Sequence, residues 1–228
     1  MKKVFSVMIC LAIVCSFVSC STVKFEESEN QTIVAKDGTE YSLVGYEGNF
    51  WCFGKWDFIG HVKGEKKLFF HMSVLGIKTG MYSVNGHQDV LVRYFPHVEF
   101  AAIYVKSDLL KTEISLENCI RFQFVKGILF SETEPNFQKS ITECEQFLTE
   151  IKSGQTAKDA GLYDSLRQPN GTLNNCYVYG YVCGIVQEDL NIVIPLQVMS
   201  FDDKAYSILI DGVEYVLPEE WLIKLIAE

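Results

Sequence analysis

The sequence is short of positive charge and contains no extended basic cluster. Its 20 lysine and arginine residues are outnumbered by 29 aspartate and glutamate residues, which gives a net charge of −9 at pH 7. No run of basic residues is longer than a pair such as Lys66-Lys67. Nucleic acids and anionic lipid surfaces are recognised largely through their phosphates, and an acidic chain repels these groups. The composition therefore argues against nucleic acid as a partner.

Recognisable catalytic motifs are also missing. The chain contains no Gly-x-Ser-x-Gly elbow, no P-loop, no Gly-x-Gly-x-x-Gly signature and no His-Glu-x-x-His motif. Its eight cysteines include no Cys-x-x-Cys pair, which disfavours a redox or zinc-ribbon site. These absences favour a non-catalytic protein and predict no cofactor.

The apolar run at the N-terminus is too short to span a membrane as a helix, which takes about 20 apolar residues. It follows Lys2 and Lys3, extends from Val4 to Val14 and leads into Phe17-Val18-Ser19-Cys20. A charged start, an apolar middle and a small-residue end are typical of a cleaved export signal. The last four residues resemble the lipobox of bacterial lipoprotein precursors, in which a small residue precedes a lipid-bearing cysteine.

This resemblance implies that a diacylglycerol group is attached to Cys20 and that the chain is cleaved before it. Acyl chains would then tether the protein to the membrane. The residue after the cysteine is Ser21 rather than aspartate, which by the same resemblance favours the outer membrane if the cell has two membranes. Residues 20–32 are rich in glutamate and predict a solvated linker. An ordinary secretory signal, cut near Ser19 or Ser21, is the alternative.

The remainder of the chain is patterned as short strands. Apolar and aromatic runs separated by glycine fill residues 41–130, which is typical of antiparallel sheets. The segment 116–128 resembles the segment 173–185: each has asparagine before a cysteine, alternating aromatic residues and a glycine eight residues after the cysteine. Each predicts a turn, a strand and a glycine bend of the kind found in small barrels. Duplication and convergence both explain this repeat.

Alternation within the two repeated strands predicts which side chains share a face. Aromatic residues fall together on one face of each strand, as Phe122 and Phe124 in the first and as Tyr177, Tyr179 and Tyr181 in the second. Pro195 lies within another apolar run and cannot donate a ladder hydrogen bond. It therefore predicts an edge or a break in its strand.

Turn and helix signals complete the pattern. Asp37-Gly38 and Asp211-Gly212 lie between apolar runs and predict two-residue hairpin turns. Helical spacing predicts a helix that ends at Gly154 and a shorter helix that begins near Thr156. Apolar residues after Pro218 predict a short C-terminal helix.

These signals predict a β-rich α+β protein with antiparallel sheets or small OB-like barrels, a helical pair between them and a short C-terminal helix. The predicted divisions are a signal peptide at 1–19, an anchored linker at 20–32, an antiparallel β region at 33–135, the helical pair at 136–168, and a second β region with the C-terminal helix at 169–228.

Three groups of residues are candidates for a functional site. The four histidines fall in one segment, as His61, His71, His87 and His97. Imidazoles that converge across strands bind zinc or another transition metal. Their spacing follows no ligand motif, so surface or hydrogen-bonded histidines are the competing interpretation.

The other two groups are aromatic and thiol side chains. Trp51 and Trp56 predict either a platform for a sugar or peptide or part of a sheet core. Cys119 and Cys176 occupy equivalent repeat positions and would form a disulfide if their strands paired in register, whereas buried free thiols are the alternative. Five cysteines follow Cys20, so at least one thiol is unpaired within a monomer.

The sequence as a whole favours a lipid-anchored envelope protein with a non-catalytic role. Such a protein would bind a small ligand or act as a scaffold for another envelope protein. A metal-binding protein or metal-dependent enzyme that uses the His61 to His97 segment is the second hypothesis. An aromatic glycan-binding module that uses Trp51 and Trp56 is the third.

Overall fold

The first half of the chain forms a closed barrel. The computed structural model describes residues 23–28, 31–46, 48–63, 80–95, 100–127, 136–137, 139–165 and 176–225. Its first eight strands are β1 (Val23–Glu27), β2 (Thr32–Ala35), β3 (Glu40–Tyr46), β4 (Trp51–Cys52), β5 (Trp56–Val62), β6 (Gly80–Val84), β7 (His87–Phe95) and β8 (Phe100–Lys106). Seven of them follow the barrel order β1-β2-β3-β8-β7-β6-β5. A parallel pairing of β1 with β5 closes the barrel.

Alternation along these strands fills the barrel interior with apolar side chains. The interior cluster consists of Phe25, Ile33, Tyr41, Val62, Met81, Leu91, Ala102 and Tyr104. Arg93 lies two residues after Leu91 and is only 8% exposed. Its Nη1 atom is 3.0 Å from the Glu27 carboxylate. Because β7 and β1 are not neighbours in the barrel, this ion pair crosses the barrel.

A second sheet follows two single 3₁₀ turns, Ser107–Leu109 and Leu116–Asn118. Its strands are β9 (Arg121–Lys126), β10 (Lys139–Ile141), β11 (Cys176–Ile185), β12 (Ile192–Phe201), β13 (Ala205–Ile210) and β14 (Val213–Val216). They follow the order β10-β9-β11-β12-β13-β14, and β12 also pairs with β4. The helices are α1 (Cys144–Ser153), α2 (Leu162–Ser165) and α3 (Glu219–Leu225).

Two of these helices cover one face of the second sheet. Helix α1 buries the four apolar positions Cys144, Phe147, Leu148 and Ile151 at helical spacing. The fully buried Trp221 of α3 packs edge-on against Phe147, with ring centroids 5.2 Å apart. Its indole Nε1 donates a hydrogen bond of 2.7 Å to Glu150 of α1. The two helices and the sheet therefore share one core.

The barrel and the second sheet are joined by apolar contacts as well as by the β4–β12 pairing. Leu190 and Ile192 of the sheet pack in one cluster with Val84 and Ile103 of the barrel. Phe50 packs against both this cluster and the core beneath the helices. The two parts of the fold thus bury apolar surface against each other.

The predicted fold class is confirmed. The structure is β-rich, with a closed seven-stranded barrel, few helices and a short C-terminal helix. Predicted helical positions from Cys144 to Ile151 are buried in α1. The second member of the helical pair is reduced to the four residues of α2, preceded by a turn in which Asp159 N–H donates to Thr156 Oγ1.

The structure differs from the predicted divisions at two places. Strand β1 lies within the segment 20–32 that was interpreted as a linker, and its Phe25 is 1% exposed. Two of its glutamates pair with basic side chains: Glu26 Oε1 lies 2.7 Å from Lys63 Nζ, and Glu27 Oε2 lies 3.0 Å from Arg93 Nη1. The predicted boundary at residue 135 is also displaced, because β9 pairs with β11 of the second sheet.

Turns and bends agree with the predictions only in part. Asp211 and Gly212, with φ of 51° and 78°, form the predicted two-residue turn. At Asp37-Gly38 only the glycine has positive φ, and the turn has three residues because Ala35 N–H donates to the Thr39 carbonyl.

The irregularity in β11 falls elsewhere than the repeat predicted. It lies between Val178 and Gly180, rather than at Gly184. A Cβ atom at Gly180 would lie 2.3 Å from a backbone carbonyl of β9, so the close approach requires glycine. The bulge places Tyr179 and Tyr181 against different clusters, so the three tyrosines do not share a face.

Candidate functional site

The candidate site lies beside β12, where one edge of this strand loses its partners. Val193 is the last residue paired with β4, through Trp51, and Val198 is the first paired with β13, through Ile208. Residues 194–197 lie between these pairings and span about 13 Å at the usual rise of a strand. On its other edge, β12 is paired with β11 along the whole of this stretch.

A proline occupies the middle of this open stretch. The N–H of Phe53 donates to the Asn191 carbonyl at 3.3 Å. Backbone groups alternate along a strand, so the odd-numbered residues of β12 direct theirs towards this edge. Pro195 belongs to that series and has no N–H, so a strand placed opposite it would lose one ladder bond. Pro195 therefore lies at an unpaired stretch of edge, as predicted, but strand β12 continues through it without a break.

The tip of the β13–β14 hairpin forms one wall of the site. The hairpin continues beyond its last pairing with β12, at Ile208, and pairs with itself through Leu209–Glu214 and Ile210–Val213. Because β13 runs past this point without pairing to β12, a gap opens between the hairpin tip and β12. Leu209 and the Asp211-Gly212 turn line this gap.

The hairpin tip, β12 and the segments that connect the barrel to the second sheet enclose a cleft of about 490 Å³. This volume falls within the range of small-molecule sites. Most of its lining side chains are apolar, namely Phe50, Ile114, Leu116, Ile194, Pro195, Leu196 and Leu209, but polar atoms supply about half of the accessible lining surface. The cleft therefore depends on both parts of the fold, and neither the barrel nor the second sheet builds it alone.

Two carboxylates and one ammonium group lie at the rim of the cleft. Lys152 of α1 places its Nζ 2.8 Å from Asp211 and 3.8 Å from Glu117. The hydrogen bond to Asp211 raises the pKa of Lys152 above its ordinary value, so the ammonium is protonated at neutral pH. The rim then holds two negative charges against one positive charge. The arrangement suits a ligand with an apolar body and a cationic group.

The structure does not bring the described histidines together. His61 lies near the start of β6, with its ring centroid 5.0 Å from that of Phe58, and His87 begins β7 beyond the other end of β6. The length of β6, about 13 Å, separates them. His71 and His97 lie outside the described residues. Within the part of the chain that the structure describes, no three histidine, cysteine or acidic side chains are grouped to hold a metal ion.

The two predicted platform tryptophans are neighbours, but they belong to an aromatic cluster. Their ring centroids are 6.2 Å apart with an interplanar angle of 38°, and Trp51 is only 9% exposed. Trp56 also contacts Tyr82 and Tyr94, at 6.5 and 6.3 Å. Rings inclined to one another in this way pack together and do not present a flat surface, which favours the core interpretation.

The predicted disulfide partners lie far apart. Strands β9 and β11 do pair, but antiparallel, with Arg121 opposite Ile185 and Lys126 opposite Gly180. Cys119, which precedes β9, therefore lies near the end of β11, while Cys176 begins that strand. Both cysteines are free thiols. Equivalent positions in the repeat are brought to opposite ends of the pairing, so we do not propose a disulfide between them.

The predicted lipid-attachment residue, Cys20, lies outside the described residues. Among the residues that are described, no helix is long and apolar enough to cross a membrane. No protein-family model, curated protein or solved structure matches the chain significantly.

No motif in the sequence marks the cleft as a site. Two of its components were visible, since Pro195 predicted an interrupted strand and Asp211-Gly212 predicted a hairpin tip. Their proximity, and the approach of Glu117 from a distant 3₁₀ turn, are products of the tertiary structure. No spacing in the sequence relates these three segments.

Proposed function

We propose that this protein is a lipid-anchored envelope protein that binds an apolar ligand in the cleft between its barrel and its second sheet. The cleft itself is the observation that supports binding, because it combines partly apolar walls with an open strand edge. The lipobox-like residues that end at Cys20 support the anchor. The acidic composition argues against nucleic acid as the ligand.

Binding suits the chemistry of this cleft better than catalysis does. No histidine or cysteine is among its described lining residues. The side chains of Glu117 and Asp211 are 69% and 63% exposed and are both held by Lys152. Carboxylates used as catalytic acids are usually set in an apolar environment that alters their protonation, and these two are solvated. Their role at the rim is electrostatic attraction.

An uncharged fluorescent probe tests the cleft directly. N-phenyl-1-naphthylamine, which brightens in apolar surroundings, is expected to bind the purified protein with a single class of site. Leu209 is 39% exposed on the cleft wall, so Leu209→Lys places a charge in the site and should weaken probe binding about tenfold. Ile223→Lys is the matched control, since Ile223 is 55% exposed on α3 and does not line the cleft.

The outcome of this titration decides between a binding cleft and an inert gap. Equal loss of binding in the two variants, or saturable binding that neither changes, would contradict the proposal. Circular dichroism of both variants establishes that each remains folded.

The anchor is tested by metabolic labelling with an alkyne-bearing fatty acid in a bacterial host that processes lipoproteins. The wild-type chain is expected to incorporate the label and Cys20→Ala to lose it. Cys15→Ala is the matched control, because Cys15 follows bulky Val14 and should leave labelling intact. An unlabelled wild-type chain that keeps Met1 would disprove lipid attachment.

A further inference from the structure

The open edge of β12 specifies the ligand more narrowly than its apolar walls do. We infer that the ligand of the cleft is an extended peptide segment in which a lysine or arginine is flanked by apolar residues. This inference rests on the proposed function of the cleft. Three features of the cleft support this assignment: its unpaired strand edge, the length of that edge and the charge at the rim.

The backbone of β12 supplies the first feature. The odd-numbered residues of this strand face the cleft edge, so the Pro195 carbonyl and the Gln197 N–H point towards it, while the Gln197 carbonyl belongs to the ladder that ends at the Val198–Ile208 pair. An extended peptide that adds to a sheet edge is held by such main-chain groups. The proline removes one donor but leaves its acceptor. A bound segment would therefore donate an N–H to Pro195 and need not accept a bond there.

The length of the opening supplies the second feature. β4 ends its pairing at Val193 and β13 begins its pairing at Val198, and both lie on the same side of β12. The gap between them admits about four residues of extended chain. The apolar lining, which includes Ile194, Leu196 and Leu209, then covers the side chains of such a segment.

The charge at the rim supplies the third feature. Glu117 and Asp211 share the single ammonium group of Lys152. A basic side chain of the ligand would compete with Lys152 for these carboxylates, and an acidic one would meet two negative charges. The net charge of −9 favours the same sign of ligand at longer range.

Calorimetric titration of the wild-type protein with short blocked peptides tests the assignment. The first peptide has the sequence acetyl-Val-Leu-Lys-Leu-Val-amide, and the second replaces lysine by glutamate. A third keeps the lysine but is N-methylated at alternate peptide nitrogens, which removes its strand-pairing donors. We expect only the first to bind well, with the other two weaker by about tenfold or more. Dodecylamine serves as a cationic apolar probe without a peptide backbone.

Rim variants then place the bound peptide in the cleft. Glu117→Gln and Asp211→Asn should each weaken binding of the lysine peptide roughly fivefold, as expected for one solvated ion pair. Lys152→Gln removes the competing cation and should strengthen binding by a similar factor. Asp202→Asn is the matched control, because Asp202 is also a positive-φ aspartate in a hairpin turn, 2.8 Å from Lys204, but does not line the cleft.

The results separate this inference from the proposed function. Displacement of N-phenyl-1-naphthylamine by the lysine peptide, with the expected order of variants, supports both. Probe binding without peptide binding overturns the peptide assignment and leaves the binding cleft intact. Equal binding of the lysine and glutamate peptides, tolerance of N-methylation, or a preference for dodecylamine also overturns it. Failure of the probe and all the peptides to bind overturns both proposals.

Discussion

The barrel and the second sheet differ in how the edges of their strands are paired. Every strand of the barrel has two neighbours, because the parallel β1–β5 pair closes the circle. The second sheet is open, and β12 divides one edge between β4 and β13. Closure leaves no main-chain edge for a ligand, whereas the divided edge of β12 leaves one of about four residues. The difference explains why the candidate site lies against the open edge of β12.

The two parts also use charge differently. In the barrel, Arg93 is 8% exposed, lies 3.0 Å from Glu27 and lies over the ring of Phe95. At the cleft, the side chain of Lys152 is 35% exposed and is shared between two solvated carboxylates. The Arg93 guanidinium is held in place by the cost of leaving a buried charge unpaired, although its partner Glu27 is 47% exposed. A solvated pair exchanges partners readily, as a binding rim requires.

The largest expected effect concerns the helices that cover the open sheet. It tests whether the stability of the sheet depends on them, as the stability of the barrel depends on the β1–β5 pairing that closes it. Trp221→Ala removes a fully buried indole that packs on Phe147 and bonds to Glu150. It should lower the free energy of unfolding by about 3–5 kcal/mol, measured by urea denaturation. Because the two parts share apolar contacts, the variant should still unfold in one transition. Separate transitions for the barrel and the sheet would show that the two parts unfold independently.

A second prediction compares Arg93, whose side chain is 9% exposed, with Arg121, whose side chain is 32% exposed. Arg93→Ala should destabilise the protein by about 1–2 kcal/mol, because it removes packing inside the barrel, whereas the Glu27 side chain is 47% exposed and is solvated when its cation is lost. Arg121→Ala in the second sheet removes an ion pair of 2.9 Å to an exposed glutamate and should cost less than about 1 kcal/mol. Urea midpoints of both variants provide the measurement. Similar losses would show that the barrel does not protect its ion pair.

Acid unfolding provides a smaller effect in each part of the fold. Hydrogen bonds from Gln146 and Trp221 lower the pKa of Glu150 below its ordinary 4.5, and a backbone hydrogen bond from Thr39 lowers that of Asp37 below 3.8. A carboxylate whose pKa is lower in the folded than in the unfolded state stabilises the fold at pH values above its unfolded-state pKa. This contribution is lost as the pH falls through the folded-state pKa.

The measurement is the unfolding midpoint between pH 6 and pH 2, compared with Glu150→Gln and Asp37→Asn. Both substitutions keep a hydrogen-bond acceptor but no longer titrate. Each variant should therefore show a shallower acid loss than the wild type. An unchanged slope would mean that the carboxylate in that part is not stabilised by folding.

The smallest effect concerns thiol chemistry within the second sheet. Burial raises the pKa of Cys119 and Cys183 to about 12, so almost no thiolate exists there at pH 8. Cys176 is only partly buried at the start of β11. A brief pulse of iodoacetamide followed by peptide mass mapping should label Cys176 faster than the other two. Equal labelling would show that the sheet opens in its native state.

Local signals predicted much of the fold. Alternation predicted that Phe122 and Phe124 share a face, and both are fully buried against the helices. Helical spacing predicted the buried face of α1, because neighbouring turns of one helix depend only on near sequence. Local composition gave the wrong interpretation of β1, because it assigned Glu27 to a linker although this residue pairs with an arginine distant in the chain.

The candidate site was much less predictable. The repeat suggested that Cys119 and Cys176 correspond, yet an antiparallel pairing reverses one copy relative to the other. The histidine hypothesis depended on which strands are neighbours, and alternation carries no information on that point. Four segments from different parts of the chain build the cleft, and each looks ordinary by itself.

The sequence by itself determined the acidic charge, the strand-rich pattern, the interruption at Pro195 and the tight turn at Asp211-Gly212, because each depends on composition or on neighbouring residues. The tertiary structure decided that seven strands close into a barrel, that β12 divides its edge between two partners, and that Glu117, Lys152 and Asp211 meet at the rim. Contacts between residues distant in the chain depend on the burial of shared apolar surface, and this burial occurs only in the folded molecule.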